Sequence, residues 1–322
     1  MSDKFVYQNA RIKHMESKLI TSQSVQRLIE CTTIDDAFKV LLEMGFGSGI
    51  PVETNDFDTL FAHEEENAVA LLKEFNVSDA LNAFLVEIDY LNMKSVFKAH
   101  ATETDFSSTL VGLYDVNEMK ALIDGVGGEN LPQEMKDAVA YLLELEKAEK
   151  LSPRIIDVTI DRAMYKHILS LVKKSGNLAK RYYIKKIDYL NILSFLRVKK
   201  LSLPLDFFEK GFIEGGTLDK DVFTSAFDSM EKFKENTKLT EFREVIEKTA
   251  DTQNIVALEV AIDNDLLKIF RDEFNDLFSI APIVSYYLTK RTEIKLTKLI
   301  VAGIKNHVDP QLIRERMREI YA

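Results

Sequence analysis

The sequence predicts an all-α protein, and three observations favour this fold class. Apolar residues recur at i, i+3, i+4 and i+7 between Leu81 and Ile88, and at i, i+3 and i+4 between Val284 and Leu288. The chain has only 12 glycines and 6 prolines in 322 residues, which indicates few turns and long helices. Alternating apolar and polar segments, which are typical of strands, are nearly absent.

Several helix boundaries can be predicted from capping residues. Thr33–Asp36 and Ser78–Asp79 are typical of helix N-termini, where a side-chain oxygen accepts a free backbone N–H. Pro153 and Pro282 suit the first turn of a helix, because a proline has no N–H to leave unpaired. Gly45 suits a helix end. These positions predict helices that begin near residues 34, 79, 153 and 282.

The amino-acid composition excludes several classes of protein. With 46% apolar and 29% charged residues, the chain is predicted to be globular with a real core, and intrinsic disorder is excluded. A single cysteine, Cys31, excludes an internal disulfide framework and any cysteine-cluster metal site. No secretory signal is recognised at the start, and the apolar run Leu299–Ile304 is far short of the ~20 residues that span a bilayer. Any membrane association is therefore expected to come through a partner.

Charge is distributed unevenly along the chain. Residues 1–150 carry 13 basic and 27 acidic side chains, whereas residues 151–322 carry 29 basic and 25 acidic ones. The overall pI near 5.2 argues against a nucleic-acid-binding protein, whose affinity depends on a basic surface. The basic clusters of the second half are either solvated helix faces or part of a surface for an acidic partner.

A weak internal repeat of about a hundred residues divides the chain. The segment Ile88–Ala99 recurs as Ile187–Val198, and a degenerate third copy lies at Thr292–Val301, with Thr292 in the position of the repeated aspartate. We therefore predict three helical units, residues 1–110, 111–215 and 216–322, with the N-terminal helix packing on the third.

The repeated Asp and Asn, at i and i+3, share one helix face, where they could bind a ligand or hydrogen-bond a neighbouring helix. Repetition favours the structural role, because three copies of an active site in one chain would be unusual. The predicted repeat anchors are Asp89, Tyr90, Asn92, Asp188, Tyr189, Asn191 and Glu293.

No catalytic, cofactor-binding or metal-binding residues are predicted. The five histidines are widely separated, and the glycine-rich segment Gly45–Gly49 follows a predicted helix and lacks the Lys-Ser/Thr ending of a phosphate-binding loop. The acids in Asp272–Asp276 resemble a magnesium motif of all-α prenyl-diphosphate enzymes, but their possible partner Asp263–Asp265 is too close in sequence. An all-α magnesium-dependent enzyme is the weakest of the alternatives, and the acids are interpreted as a solvated helix face.

Motifs along the whole chain resemble a known family. The opening Phe5–Arg11, the two Asp-Tyr-Leu-Asn helices and the stretches Tyr286–Lys295 and Leu299–Lys305 are similar to the C subunit of bacterial and archaeal A/V-type rotary ATPases, the counterpart of the d subunit in eukaryotic vacuolar ATPases. The resemblance implies three similar helical domains in a pseudo-threefold funnel and a non-catalytic rotor component without a cofactor.

The resemblance also implies the partners and the location. Its wide end would receive the central shaft made of the D and F subunits, and its base would sit on the membrane ring of c-type (K) subunits. The chain would be one copy in a hetero-oligomeric complex, peripheral at the cytoplasmic face of the cell membrane, in a machine that moves H⁺ or Na⁺. A helical repeat scaffold that binds other protein partners is the alternative.

Basic residues just before the second and third repeat helices are the candidates for contact with an acidic partner. A charged socket can hold a partner reversibly without a large apolar patch. The candidate interface residues are Lys180, Arg181, Lys185, Lys290 and Arg291.

Overall fold

The computed structural model describes residues 5–75, 78–106, 110–174, 177–249 and 254–315, and within these ranges it is all-α, with no strand. The predicted fold class is therefore confirmed. The described helices are α1 (Val6–Met15), α2 (Ser22–Ile29), α3 (Ile34–Glu43), α4 (Phe57–Glu74), α5 (Asp79–Ala101), α6 (Val116–Ile123), α7 (Gln133–Lys147), α8 (Pro153–Val172), α9 (Asn177–Lys200), α10 (Leu205–Gly211), α11 (Lys220–Thr224), α12 (Met230–Thr237), α13 (Arg243–Thr249), α14 (Ile255–Arg271), α15 (Ala281–Lys305) and α16 (Pro310–Arg314).

The chain divides into two compact units. The terminal unit combines Met1–Val77 with Val260–Ala322, and the middle unit is Ser78–Glu259. The terminal unit thus joins the two ends of the chain, and α1 packs against α15 within it. The predicted division into three units at residues 110 and 215 stays a prediction.

Helix starts follow the capping residues of the sequence. Thr33 Oγ1 accepts the backbone N–H of Asp36 at 3.1 Å, and Pro153 and Pro282 lie in the first turns of α8 and α15, as predicted. Ser78 immediately precedes α5 but makes no capping hydrogen bond to it. Gly45 follows α3 with a φ of 92°, a left-handed conformation that glycine adopts without strain.

The core of the terminal unit forms around α15. Sixteen residues of this helix are buried, and α1, α2, α3 and α4 all pack against it. Leu28, Leu41 and Leu60, one from each of α2, α3 and α4, are fully buried in the same apolar cluster as Ile300 of α15. Burying a leucine side chain contributes about 1.5–3 kcal/mol, so this shared cluster holds the two ends of the chain together.

The middle unit contains a cluster of phenylalanines. Phe195 of α9 lies 4.5 Å from Phe233, 5.5 Å from Phe208 and 5.6 Å from Phe223, measured between ring centroids, and all four rings are fully buried. Each of the four comes from a different helix, so this cluster connects α9 to the three short helices that follow it.

None of the described helices combines the length and apolar character needed to cross a membrane.

We expect Phe195→Ala to lower the free energy of unfolding by about 3–5 kcal/mol, because it leaves a cavity among three packed rings. Urea unfolding followed by circular dichroism measures this loss. Leu239→Ala is the matched control, because Leu239 is 92% exposed and should change the stability by less than about 0.5 kcal/mol. Equal stability of the two variants would contradict the role given to the phenylalanine cluster.

Candidate functional site

The first repeat helix, α5, holds the segment that leads into α6. Asp89 is fully buried, and its carboxylate accepts the backbone N–H of Leu113 at 2.9 Å and of Tyr114 at 3.2 Å. Asn92, one helical turn later, donates from Nδ2 to the carbonyl oxygen of Leu110 at 2.8 Å. A charged acceptor makes stronger hydrogen bonds than a neutral one, so this contact holds the segment firmly.

The second repeat helix, α9, makes the same contact. Asp188 accepts the N–H and the hydroxyl of Thr217 at 2.8 and 2.7 Å, and the N–H of Leu218 at 2.8 Å. Asn191 bonds the backbone of Ile213 twice, donating to its carbonyl oxygen at 2.8 Å and accepting its N–H at 3.0 Å. Both anchors therefore act on backbone groups that no helix or sheet pairs, and such groups are costly to bury without a partner.

The third repeat helix, α15, takes its partner from the other end of the chain. Glu293, fully buried, accepts the N–H of Ile20 at 2.7 Å. Thr292, which the sequence repeat placed at the acid's position, instead donates to the Leu288 carbonyl of its own helix. Leu296 stands where Asn92 and Asn191 stand in the other copies.

The three contacts share one register. In each copy, the acid accepts the N–H of the residue two positions before the next helix: Tyr114 before α6, Leu218 before α11, and Ile20 before α2. The repeated acid thus binds the backbone just before the start of α6, α11 and α2. These geometries support the structural role predicted for the repeat anchors, which remains our proposal.

Ion pairs between each repeat helix and a later or preceding long helix follow the same register. The lysine five residues after the acid pairs with the ninth residue of the partner helix. The basic residue nine positions after the acid pairs with the fifth residue of the partner helix. The pairs are Lys94 with Asp161, Lys298 with Glu65, Lys98 with Asp157, and Arg197 with Glu259. Such partly exposed ion pairs contribute about 0–1 kcal/mol each to the stability of the fold. They matter here because they show that three pairs of helices pack in the same register.

Two glycines allow the close approach of the acids. A Cβ atom at Gly112 would overlap the Asp89 carboxylate, and one at Gly216 would overlap the Asp188 carboxylate. Neither glycine is among the site residues predicted from the sequence. In the sequence, each Asp-Tyr-Leu-Asn helix is followed by one of these glycines. Such a glycine predicts a turn, but it does not predict which side chain the turn contacts.

The tyrosines beside the anchors are buried. The Tyr90 hydroxyl lies 3.4 Å from Nδ1 of His167 in α8, and Tyr189 packs edge-on against Phe242 at 4.9 Å. Burial raises the pKa of Tyr90 and lowers the pKa of His167, because each group loses contact with water and its neutral form is favoured.

The five candidate interface residues differ in exposure. Lys180, Arg181 and Arg291 are exposed. Lys185 is only 7% exposed and pairs with Glu241 at 2.7 Å, while Lys290 is half-buried between Glu64 and Glu293. Lys185 and Lys290 thus already have carboxylate partners within the chain. The interface as a whole stays a prediction, and the three exposed cations are its accessible members.

The acidic segment and the glycine-rich segment considered in the sequence lie in turns. Asp272–Asp276 lies in the turn after α14 and not on a helix face. Gly47, in the glycine-rich segment, donates its N–H to Glu64 at 3.0 Å, so this loop is held by a carboxylate. In the part of the chain that the structure describes, no three His, Cys, Asp or Glu side chains are grouped so that they could hold a metal ion.

Comparison with known proteins identifies the family. The model of the ATP synthase (C/AC39) subunit family matches residues 8–316. The chain belongs to this family. The match covers all three repeat helices and their anchors, as the motifs of the sequence predicted.

Relatives of the C/AC39 chain match over nearly its whole length. The C subunit of the A-type ATP synthase of Thermococcus gammatolerans is 25% identical, covering 98% of this chain and 90% of the relative. The C subunit of the V-type sodium ATPase of Enterococcus hirae is 23% identical, covering 97% and 98%. The C subunit of the A-type ATP synthase of Haloferax volcanii is also 23% identical, covering 97% and 96%. This C/AC39 chain is therefore part of a rotary ATPase of the A/V type.

We expect Gly216→Ala to destabilise this C/AC39 chain by about 1–3 kcal/mol, because its new methyl group overlaps the buried Asp188 carboxylate. Gly211→Ala is the control, since its Cβ would meet neighbours at ordinary contact distances of 3.5 Å and more. The measurement is urea unfolding. In a double-mutant cycle, adding Asp188→Ala should cost less in the Gly216→Ala background than in the wild type. Strict additivity would contradict the contact.

Acid should destabilise the middle unit through His167. The folded pKa of His167 lies below the ordinary value of 6.5, so the unfolded chain takes up the proton first and the folded state loses stability as the pH falls below that value. Each pH unit below the ordinary value removes at most about 1.4 kcal/mol. His167→Asn should flatten the fall in melting temperature between about pH 7 and pH 5. An unchanged slope in this variant would assign the acid sensitivity to other groups.

Proposed function

We propose that this chain is a non-catalytic rotor component that connects the central shaft, made of the D and F subunits, to the membrane ring of c-type (K) subunits. The observation that carries the proposal is the family match over residues 8–316, together with relatives that are named as the C subunit and align over nearly their full length. In this role, the chain transmits torque between ATP hydrolysis or synthesis and the transport of H⁺ or Na⁺.

The anchors support a role in torque transmission. A protein that carries torque has to resist bending where its helices join. Here the joints at Asp89, Asp188 and Glu293 are closed by buried carboxylate-to-backbone hydrogen bonds, and such bonds contribute about 1.5–3 kcal/mol each. Stiff joints of this kind suit a mechanical coupler better than a flexible adaptor.

The proposed location follows from the proposed partners. The chain would be peripheral at the cytoplasmic face of the membrane, and its contact with the membrane would pass through the ring. Lys180, Arg181 and Arg291 are exposed and could meet an acidic surface on the shaft or the ring.

The proposal is tested by co-purification. The tagged full chain is co-expressed with the D and F subunits from the same organism, and the ATPase complex is separately isolated from membranes. We expect a stable complex with the D–F pair and recovery of the chain in the membrane-bound ATPase. Failure of both experiments at low and at moderate salt would contradict the rotor function.

Charge reversal tests the candidate interface within that function. Arg181→Glu combined with Arg291→Glu should weaken binding to the D–F pair or the ring at least about tenfold at low salt, with a smaller difference at high salt because ions screen exposed charges. Lys210→Glu combined with Lys248→Glu is the control, since these exposed lysines pair with acids one turn away on their own helices. Equal binding and equal salt response of both double variants would reject the interface.

A further inference from the structure

Three ionisable side chains meet in the interior of the terminal unit. Lys290 Nζ lies 3.0 Å from Glu293 Oε2 and 3.7 Å from Glu64 Oε2. Their side chains are 15%, 0% and 10% exposed, in that order. Two carboxylates therefore share one ammonium group, and the Glu64–Lys290–Glu293 triad carries one negative charge in excess when both acids are ionised.

The triad holds segments that are far apart in the sequence. Glu293 Oε1 accepts the N–H of Ile20, in the linker that precedes α2. Glu64 Oε1 accepts the N–H of Gly47, in the turn between α3 and α4. The ionisation state of the triad therefore acts directly on the contact between the N-terminal segment and α15.

An acid–base pair next to the triad adds no net charge to it. Glu16, in the turn after α1, pairs with Lys13 at 3.8 Å, and the Tyr286 hydroxyl, on α15, is a further titratable group beside the triad. Burial, and then the charges of Glu293, Glu64 and Glu16, raise the pKa of Tyr286 to about 12. The nearby Glu65 is occupied by Lys298 at 2.5 Å, so that lysine does not relieve the excess.

Burial also raises the pKa of Glu293 above the ordinary value for glutamate, and Lys290 only partly offsets this effect. A group with a raised folded pKa stabilises the fold as the pH falls through that value, and the gain is complete below its ordinary value. The geometry supplies the reason. A protonated Glu293 keeps an oxygen that accepts from Ile20, more weakly than the carboxylate does. The gain comes from removing a buried charge and leaving Lys290 and Glu64 as a balanced pair.

We propose that the Glu64–Lys290–Glu293 triad takes up a proton as the pH falls and thereby holds the N-terminal segment more tightly on α15. This contact is a pH-sensitive device built into the terminal unit. It assumes nothing about the ATPase complex, so its test is separate from the test of the proposed function.

Hydrogen exchange of the full chain, measured by mass spectrometry between about pH 8 and pH 5.5 and corrected for the intrinsic exchange rate, tests the proposal. Protection of a peptide containing Ile20 should rise as the pH falls, by up to about tenfold per pH unit for one proton. Glu293→Gln keeps an acceptor oxygen but cannot ionise, and it should make this protection independent of pH. Glu64→Gln should reduce the slope without abolishing it, because it leaves Lys290 paired with Glu293 alone while Glu293 stays buried.

Glu65→Gln is the matched control, since it alters a neighbouring ion pair outside the triad and should keep the wild-type slope. If Glu293→Gln fails to fold, Glu64→Gln decides the question. The proposal is overturned if wild-type protection is flat or decreases as the pH falls, or if the wild-type slope persists in the folded Gln variants of the triad.

Discussion

A buried carboxylate that accepts backbone N–H groups is the interaction on which the described helix arrangement depends. Asp89, Asp188 and Glu293 each lie inside a long helix and bind the segment that leads into another helix of the same unit. An unpaired buried carboxylate is costly, and so is an unpaired buried N–H, so each satisfies the other. The glycines at positions 112 and 216 are required because nothing larger fits between acid and backbone.

The third copy of this contact differs from the other two in its donor, its acid and the charges around the acid. Its donor, Ile20, comes from the opposite end of the chain, and its acid is the longer glutamate. Its acid also shares Lys290 with Glu64, whereas Asp188 is satisfied by backbone and hydroxyl donors. The contact that joins the two ends of the chain therefore contains more ionisable side chains than the other two. Its strength is expected to depend on their protonation.

Family and geometry agree on the kind of molecule this is. Membership in the C/AC39 family places the chain in a rotary ATPase, where a rigid helical body is useful whether or not it carries any chemistry. The repeated anchors and the ion pairs in matching register are features of such a body. They explain how a chain of 322 residues with only 12 glycines and 6 prolines can form stiff joints between long helices.

The sequence by itself determined the helical class, several helix starts, two of the three repeat copies and the family, because periodicity, capping and motif order are local along the chain. Tertiary structure decided that Glu293, already a predicted anchor, and not Thr292 beside it accepts the N–H of Ile20. It also decided that Lys185 and Lys290 are paired inside the protein while Arg181 is exposed. These outcomes depend on partners such as Ile20 and Glu241. A one-residue shift on a helix turns a side chain by about 100°, so only long-range packing selects which of two neighbouring residues faces the partner.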